Sequence, residues 1–174
     1  MRWCASHRAD PAGARLADRH YNRQNVGAAQ FVPTGSCCVF LTDCGRAVWV
    51  TSAPLKEWTK HAWAGAWVNT LFRSEGAGLA SELILQAVAA TRAHYGDPPE
   101  LGMVTFINRK HVRPIMVRGG PVWGWTYRKA GFVEVGETVQ RGYLALQLRP
   151  EAMPHPMPAR PRSMHGAPLF DRVA

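Results

Sequence analysis

Acidic residues are scarce in this chain: 12 Asp and Glu stand against 21 Lys and Arg among 174 residues, a formal charge of +9 with histidine neutral. The pI is near 10.0. With few acids to balance the bases, the field around the molecule is positive, so nucleic acid is the first partner to expect and an anionic cofactor the second; plain solubility is the third reading. Long hydrophobic runs are missing as well. Nowhere do 18 apolar residues follow one another, and the opening "MRWCASHRADPAG" holds no apolar stretch of signal-peptide length, which argues against a membrane span or a secretory leader and points to the cytoplasm. Cysteine is sparse: Cys4, Cys37, Cys38 and Cys44 form no CxxC pair, so a disulfide framework and a zinc ribbon are both disfavoured. Reduced, mostly buried thiols are expected, with a metal site from Cys37, Cys38 and Cys44 as the alternative. Internal repeats are absent too. Hydrophobic residues are plentiful at 47%, enough for a globular chain of one domain with a single compact site.

Local patterns give an order of elements. "DPAGARLADRHY" begins with Asp10 and Pro11, a cap and a first-turn residue, and predicts a helix ending near His20 and Tyr21. "CCVFLT" and "RAVWVTS" read as a hairpin turned at "DCG". In "HAWAGAWVNTLF" (61–72) the alternation predicts a strand with His61, Trp63, Gly65, Trp67 and Asn69 on one face. Leu79, Leu83, Ile84, Ala87, Val88 and Thr91 then recur at helical spacing up to "YGDPP". "ELGMVTFIN" is a strand, "RKHVRPIMVRGG" a basic loop, "VWGWTYRKA" a short helix closed by Gly131, and "FVEVGET" and "YLALQLR" a final pair of strands. Residues 151–174 hold five prolines and three arginines without an apolar period, and read as a mobile or surface-draped tail behind a domain of 1–149. A strand on each side of the long helix makes the fold class α/β (α+β), a mixed sheet with a central crossover helix.

Ligands in such sheets favour the carboxyl end of the strand that enters the helix. "LFRSEGAGLASEL" (71–83) lies there, with Arg73, Gly76 and Gly78 spaced as R-x-x-G-x-G. Two glycines permit close backbone approach, and amides at a helix start suit a pyrophosphate. Arg73, Gly76, Ala77, Gly78 and Leu79 are therefore the candidate cofactor-binding residues; the plain alternative is a glycine-rich helix entry without a ligand. Fifty residues on, "YRKAGFVEVGE" brings Tyr127, a phenol able to hold its proton at neutral pH and give it to a developing thiolate, or else a packed helix residue.

Together the two stretches resemble the GNAT acyltransferase superfamily, in which a pyrophosphate loop precedes the central helix and a late Tyr-x-x-x-Gly-Phe protonates the departing coenzyme A thiolate. A narrower resemblance, at "DRHYNRQ", "KHAWAGAWVNTLFRSEGAGLASEL" and "GMVTFIN", is to the phage Mom family, a divergent GNAT-like group that modifies adenine in phage DNA and blocks host restriction. It covers roughly residues 1–149. By position it puts the family's His-Tyr pair on His20 and Tyr21, its helix serine on Ser81 and its late tyrosine on Tyr127. Asn108, the fifth candidate catalytic residue beside His20, Tyr21, Ser81 and Tyr127, and its neighbour Arg109 stand where that family often has an acid. The modification it implies is a carbamoylmethyl group on the exocyclic amine, made from acetyl-CoA or a related thioester. Because its bond runs through the methylene carbon, direct acyl transfer does not make it. Iron held by His20 and Tyr21, with or without Tyr127, is one means of activating that carbon.

A DNA adenine also has to leave its stack and enter a slot. Trp63, Trp67, Trp123 and Trp125 are candidates for the wall, against a core role for most tryptophans, and Asn69 or Asn108 for the adenine edge. Arg109, Lys110, His111, Arg113 and Arg118, with Arg128 and Lys129, are the expected contacts to double-stranded DNA. The alternatives are a conventional GNAT N-acetyltransferase acting on a protein or small amine, and a DNA-binding domain on a degenerate cofactor fold.

Overall fold

A computed structural model describes residues 1–32 and 34–162. Among the described residues there are nine strands and three α-helices: β1 Trp3–Ser6, α1 Pro11–Ala17, β2 Cys37–Thr42, β3 Ala47–Ser52, β4 Trp67–Ser74, α2 Ala80–Tyr95, β5 Met103–Ile107, β6 Ile115–Val117, β7 Gly120–Val122, α3 Trp125–Lys129, β8 Val133–Glu137 and β9 Leu144–Leu148. Seven of the strands make one mixed sheet in the order β1-β2-β3-β4-β5-β9-β8, and β6 pairs only with β7. Within the large sheet β4 and β5 are parallel and every other pair is antiparallel. The connection across the parallel pair is α2, as a crossover requires.

Both faces of the sheet are covered. Leu83, Ile84, Ala87 and Val88 of α2 pack on Trp3, Phe40, Trp49, Trp67, Met103 and Leu148. Leu16 and Ala17 of α1 join Phe31, Val32, Leu41, Val48, Val50 and Leu71 on the other side. Asp10 caps α1, accepting from the amides of Ala12 and Gly13, with Pro11 in the first turn. No helix among the described residues is long and apolar enough to cross a membrane.

Four expectations change. The first helix stops at Ala17, so His20 and Tyr21 lie in the loop beyond it. The strand expected over 61–72 begins at Trp67, and residues before it turn through Gly65, whose φ of 100° breaks the extended backbone. The basic loop contains the β6–β7 hairpin, and the chain opens with an additional strand, β1. The tail as far as Arg162 is draped: Met153 is buried, Arg160 bridges to Cys4 beside β1, and Arg162 pairs with Asp10. The rest of the expected tail, 163–174, lies outside the described residues.

The sheet parts at its centre. β4 and β5 pair only from Trp67 to Asn69 and from Met103 to Thr105. Beyond that β4 stays with β3 as far as Ser74, and β5 stays with β9 as far as Ile107. The β3–β4 register shows why: Thr51 faces Asn69 and Val50 faces Leu71, leaving Thr70 as an extra residue. Such a bulge bends its strand, and β4 bends away where its pairing with β5 ends.

Candidate active site

Parting two strands leaves backbone groups without a ladder partner, and buried polar groups have to find others. Side chains supply them here. Asn69 is buried and its Nδ2 donates to Val50 O at 2.9 Å and Leu71 O at 3.1 Å, bracketing the bulge. Its Oδ1 accepts from the Tyr127 hydroxyl at 2.6 Å and from Thr105 Oγ1 at 3.4 Å. Asn22 Nδ2 reaches Thr70 O at 3.4 Å. Tyr21 donates to Phe106 O at 3.3 Å. The cleft between the strands is thereby closed into a cavity of about 250 Å³ lined by His20, Tyr21, Asn69, Thr105, Val112, Gly124 and Tyr127, among others. Three of the five predicted catalytic residues meet there: His20, Tyr21 and Tyr127.

Their protonation follows from the surroundings. Burial, with the Arg73 guanidinium as the lesser cause, lowers His20 to about 4, so its ring is neutral at pH 7. The Asn22 amide donates to Nδ1 at 3.2 Å, which fixes the remaining proton on Nε2. Burial pushes the Tyr127 phenol well above its usual value, opposed by the Thr105 hydroxyl and reinforced by Tyr21. Tyr21 is raised by burial too, against a backbone hydrogen bond at Asn108, with Tyr143 adding a smaller upward push. All three are uncharged at neutral pH, two as O–H donors and one as an N–H donor.

The remaining two predicted catalytic residues lie elsewhere. Ser81 is in the first turn of α2, outside the cavity lining. Asn108 follows β5 and turns the chain: its Oδ1 accepts from the Lys110 amide at 3.0 Å and its carbonyl from His111 and Val112. Asn69 has both ends of its amide engaged and is a positioning residue for Tyr127, not a free edge for adenine.

The glycine loop connects β4 to α2. Gly76 and Gly78 have φ of 75° and 133°, conformations that side chains resist. Leu79 caps α2 without a side-chain hydrogen bond, leaving the amides of its first turn open. Arg73 does not face them. Its Nε binds Glu75 at 2.7 Å and its Nη1 the Arg19 carbonyl at 2.7 Å, while Arg19 holds the other Glu75 oxygen at 2.6 Å. Two arginines without a sequence signal take its place: Arg2 Nη1 donates to Ala77 O at 2.8 Å beside Gly78, and Arg46 Nη1 lies 3.8 Å from where a Gly76 Cβ would sit. Ala77 is buried and Leu79 exposed. Gly76, Gly78, the α2 amides, Arg2 and Arg46 form a cradle that fits a pyrophosphate in charge and backbone freedom.

A second cavity of about 300 Å³ shares Tyr21, Asn22 and Phe106 with the first and is also lined by His61, Trp63, Gln140 and Tyr143. His61, Trp63 and Phe106 are mutually packed, ring centroids 4.9 to 6.2 Å apart. Trp63 thus reaches a cavity wall. Trp67 faces the other way, against Tyr95 in the α2 core. Trp123 and Trp125 are half-buried beside Arg109 and Lys129.

His20 and Tyr21 stack with centroids 4.4 Å apart and planes 28° apart. Imidazole nitrogen lone pairs lie in the ring plane and phenolate donors close to it, so two stacked, nearly parallel rings do not converge on one ion, and His20 carries its proton on Nε2. Iron does not fit this arrangement. Among the described residues no three His, Cys, Asp or Glu gather as a metal cage. Cys37 and Cys38 begin β2, and Cys44 lies past its far end; all four cysteines are free thiols.

No family model, curated protein or solved structure matches the chain.

Proposed function

We propose that this chain is a GNAT-like transferase that takes a coenzyme A thioester and modifies the exocyclic amine of adenine in double-stranded DNA, the phage anti-restriction chemistry of the Mom family. One observation carries it: His20, Tyr21 and Tyr127, far apart in sequence, line a single cavity where β4 and β5 part. The resemblance assigned the same three residues to the reaction.

Bound in the Gly76–Gly78 cradle, the cofactor supplies an activated thioester. Arg2, Arg46 and the open amides of α2 neutralise its pyrophosphate. Tyr127 keeps its proton at neutral pH and swings it from Asn69 Oδ1 to the departing thiolate. His20 points an N–H donor, held neutral, at charge developing on a carbonyl oxygen. The second cavity, walled by Trp63, His61, Phe106 and Tyr21, takes the extruded base, with Gln140 near its edge. Exposed Lys110, Arg113 and Arg118 hold the duplex. The N–CH₂ bond of a carbamoylmethyl product needs activation of the methyl carbon, which these side chains do not supply; they bind, orient and handle protons. That limit favours, as a second reading, plain N-acetylation by the same site.

Mass spectrometry of nucleosides from DNA of cells expressing the protein tests the proposal. An adenosine adduct lost in Tyr127→Phe and His20→Ala variants is the expected result, its mass separating carbamoylmethyl from acetyl. Unmodified DNA, with acetyl-coenzyme A still bound in titration calorimetry, favours a conventional acetyltransferase of protein or small amines. No cofactor binding at all leaves the DNA-binding reading.

A further inference from the structure

The segment between β5 and α3 is larger than a connection needs. Its β6–β7 hairpin stands apart from the main sheet, and the two turn residues, Arg118 and Gly119, have φ of 49° and 83°. Both are left-handed, the combination of a type I′ turn, which sets Arg118 at the tip. Across the pair Met116 faces Pro121. Met116 is 68% exposed and Ile115 40%. Strands of three residues have little stability of their own, yet this pair is braced at its base: Trp123 Nε1 donates to Val112 O at 3.0 Å, and Arg128 Nε to Trp123 O at 3.0 Å. That base borders the cavity, because Val112 and Gly124 line it with Tyr127.

Charge completes the picture. The nearby acids are already engaged, Glu137 with Arg109 and Glu134 with Arg128. Among the described residues no carboxylate pairs with Lys110, Arg113 or Arg118, and all three are exposed. A small, braced hairpin with an apolar flank and a basic surround has the chemistry of a side-chain wedge. Met, Ile and Pro are residues that enter base steps, and cations beside them hold the phosphates while the stack opens.

We infer that the β6–β7 hairpin is a wedge for duplex DNA: Lys110, Arg113 and Arg118 grip phosphates, and Met116, backed by Pro121, enters the stack and fills the gap beside the adenine delivered to the cavity. The inference rests on the DNA reading above and adds the means of extrusion. An extruded base leaves a void that its partner can refill, and an apolar side chain in the void keeps the base out.

A duplex carrying 2-aminopurine at one adenine brightens when that base unstacks. Full-length protein is expected to raise its emission, Met116→Ala to weaken the opening about tenfold, the scale of one lost stacking contact, and Met116→Leu to restore it. Because Met116 is exposed, the variant folds, and anisotropy on the same duplex is expected to find its overall affinity little changed. Emission equal in the wild type and Met116→Ala, with DNA bound and modified, overturns the wedge and leaves the proposed function standing. Absence of any salt-sensitive DNA binding overturns both. If Met116→Ala instead turns a dimer into a monomer and leaves emission unchanged, the hairpin is a contact between copies and the wedge falls.

Discussion

His20 is expected to titrate near pH 4 in the folded protein, against 6.5 for a free imidazole. Burial is the larger cause and the Arg73 guanidinium the smaller. At 1.36 kcal/mol per unit the drop sets an upper bound of about 3 kcal/mol on the penalty for protonating the folded form. The ring is half-buried, so solvent screening brings the expected figure to about 2 kcal/mol. The sign follows from linkage. Between pH 6.5 and 4 the unfolded chain binds a proton at His20 and the folded chain does not, so stability is fully present above 6.5 and is lost as pH falls through that window. Urea unfolding of the wild type and His20→Gln at steps from pH 7 to 4 measures it. The wild type loses about 2 kcal/mol more than the variant, and the difference cancels contributions from other groups such as His61, also lowered by burial. NMR titration of the His20 ring gives the value directly. Arg73→Gln brings it back up by less than half, because burial remains. A folded-state value at or above 6 refutes the reasoning, and with it the assignment of His20 as a neutral N–H donor at physiological pH.

Replacing Tyr127 by Phe removes the proposed proton donor and is expected to lower turnover by about 10²–10⁴ with KM for the thioester little changed, read by steady-state kinetics. Asn69→Leu strips the donors from Val50 O and Leu71 O, and at about 1–3 kcal/mol for each carbonyl left unmet the loss is roughly 2–6 kcal/mol by denaturant unfolding. A methyl on Gly124, whose φ is 67°, meets Ile107 Cδ1 at 2.4 Å and Leu146 Cδ1 at 2.5 Å, so Gly124→Ala is expected to cost about 2–4 kcal/mol and to lower the melting temperature visibly. If the proposed DNA reading holds, affinity is expected to fall steeply with salt in anisotropy titrations; neutralising Lys110, Arg113 or Arg118 is expected to lower the log–log slope by about one each, and neutralising Arg109, held by Glu137, by less.

Elements whose signal is local were legible in the sequence. Asp10-Pro11 opened α1, the turn at Asp43 to Gly45 joined β2 to β3, and the spacing of Leu83, Ile84, Ala87 and Val88 marked α2. Elements fixed from a distance were not. β1 is four residues whose partners begin at Val39, more than thirty positions on, and Trp3 and Cys4 are both buried, so no alternation marks it. Residues 61–66 alternate as a strand does, but Gly65 turns the chain and puts Trp63 in a cavity wall while Trp67 enters the core. The site divided the same way. Tyr127, His20 and Tyr21 were visible through family resemblance, the glycines through spacing. Arg2 and Arg46 reach the loop only by strand register, and Arg73 was misread because Glu75, two residues on, competes for its guanidinium.

The parted sheet ties these observations together. A bulge at Thr70 separates β4 from β5, and a parting of that kind is stable only when the freed carbonyls find donors. Asn69, Tyr21 and Asn22 provide them. The same residues are the cavity's walls, and Asn69 Oδ1 orients the Tyr127 hydroxyl, so the groups that make the opening tolerable also hold the proposed proton donor at it. Tyr21 couples a second pair of regions: its hydroxyl caps the loosened end of β5 at Phe106 O, while its ring stacks on His20 and lies 5.7 Å from and parallel to that of His111 at the base of the basic segment. Asn69 bonds both freed carbonyls and the Tyr127 hydroxyl, and Tyr21 both Phe106 O and the His20 ring, so substituting either one disturbs the sheet opening and the cavity's polar groups together.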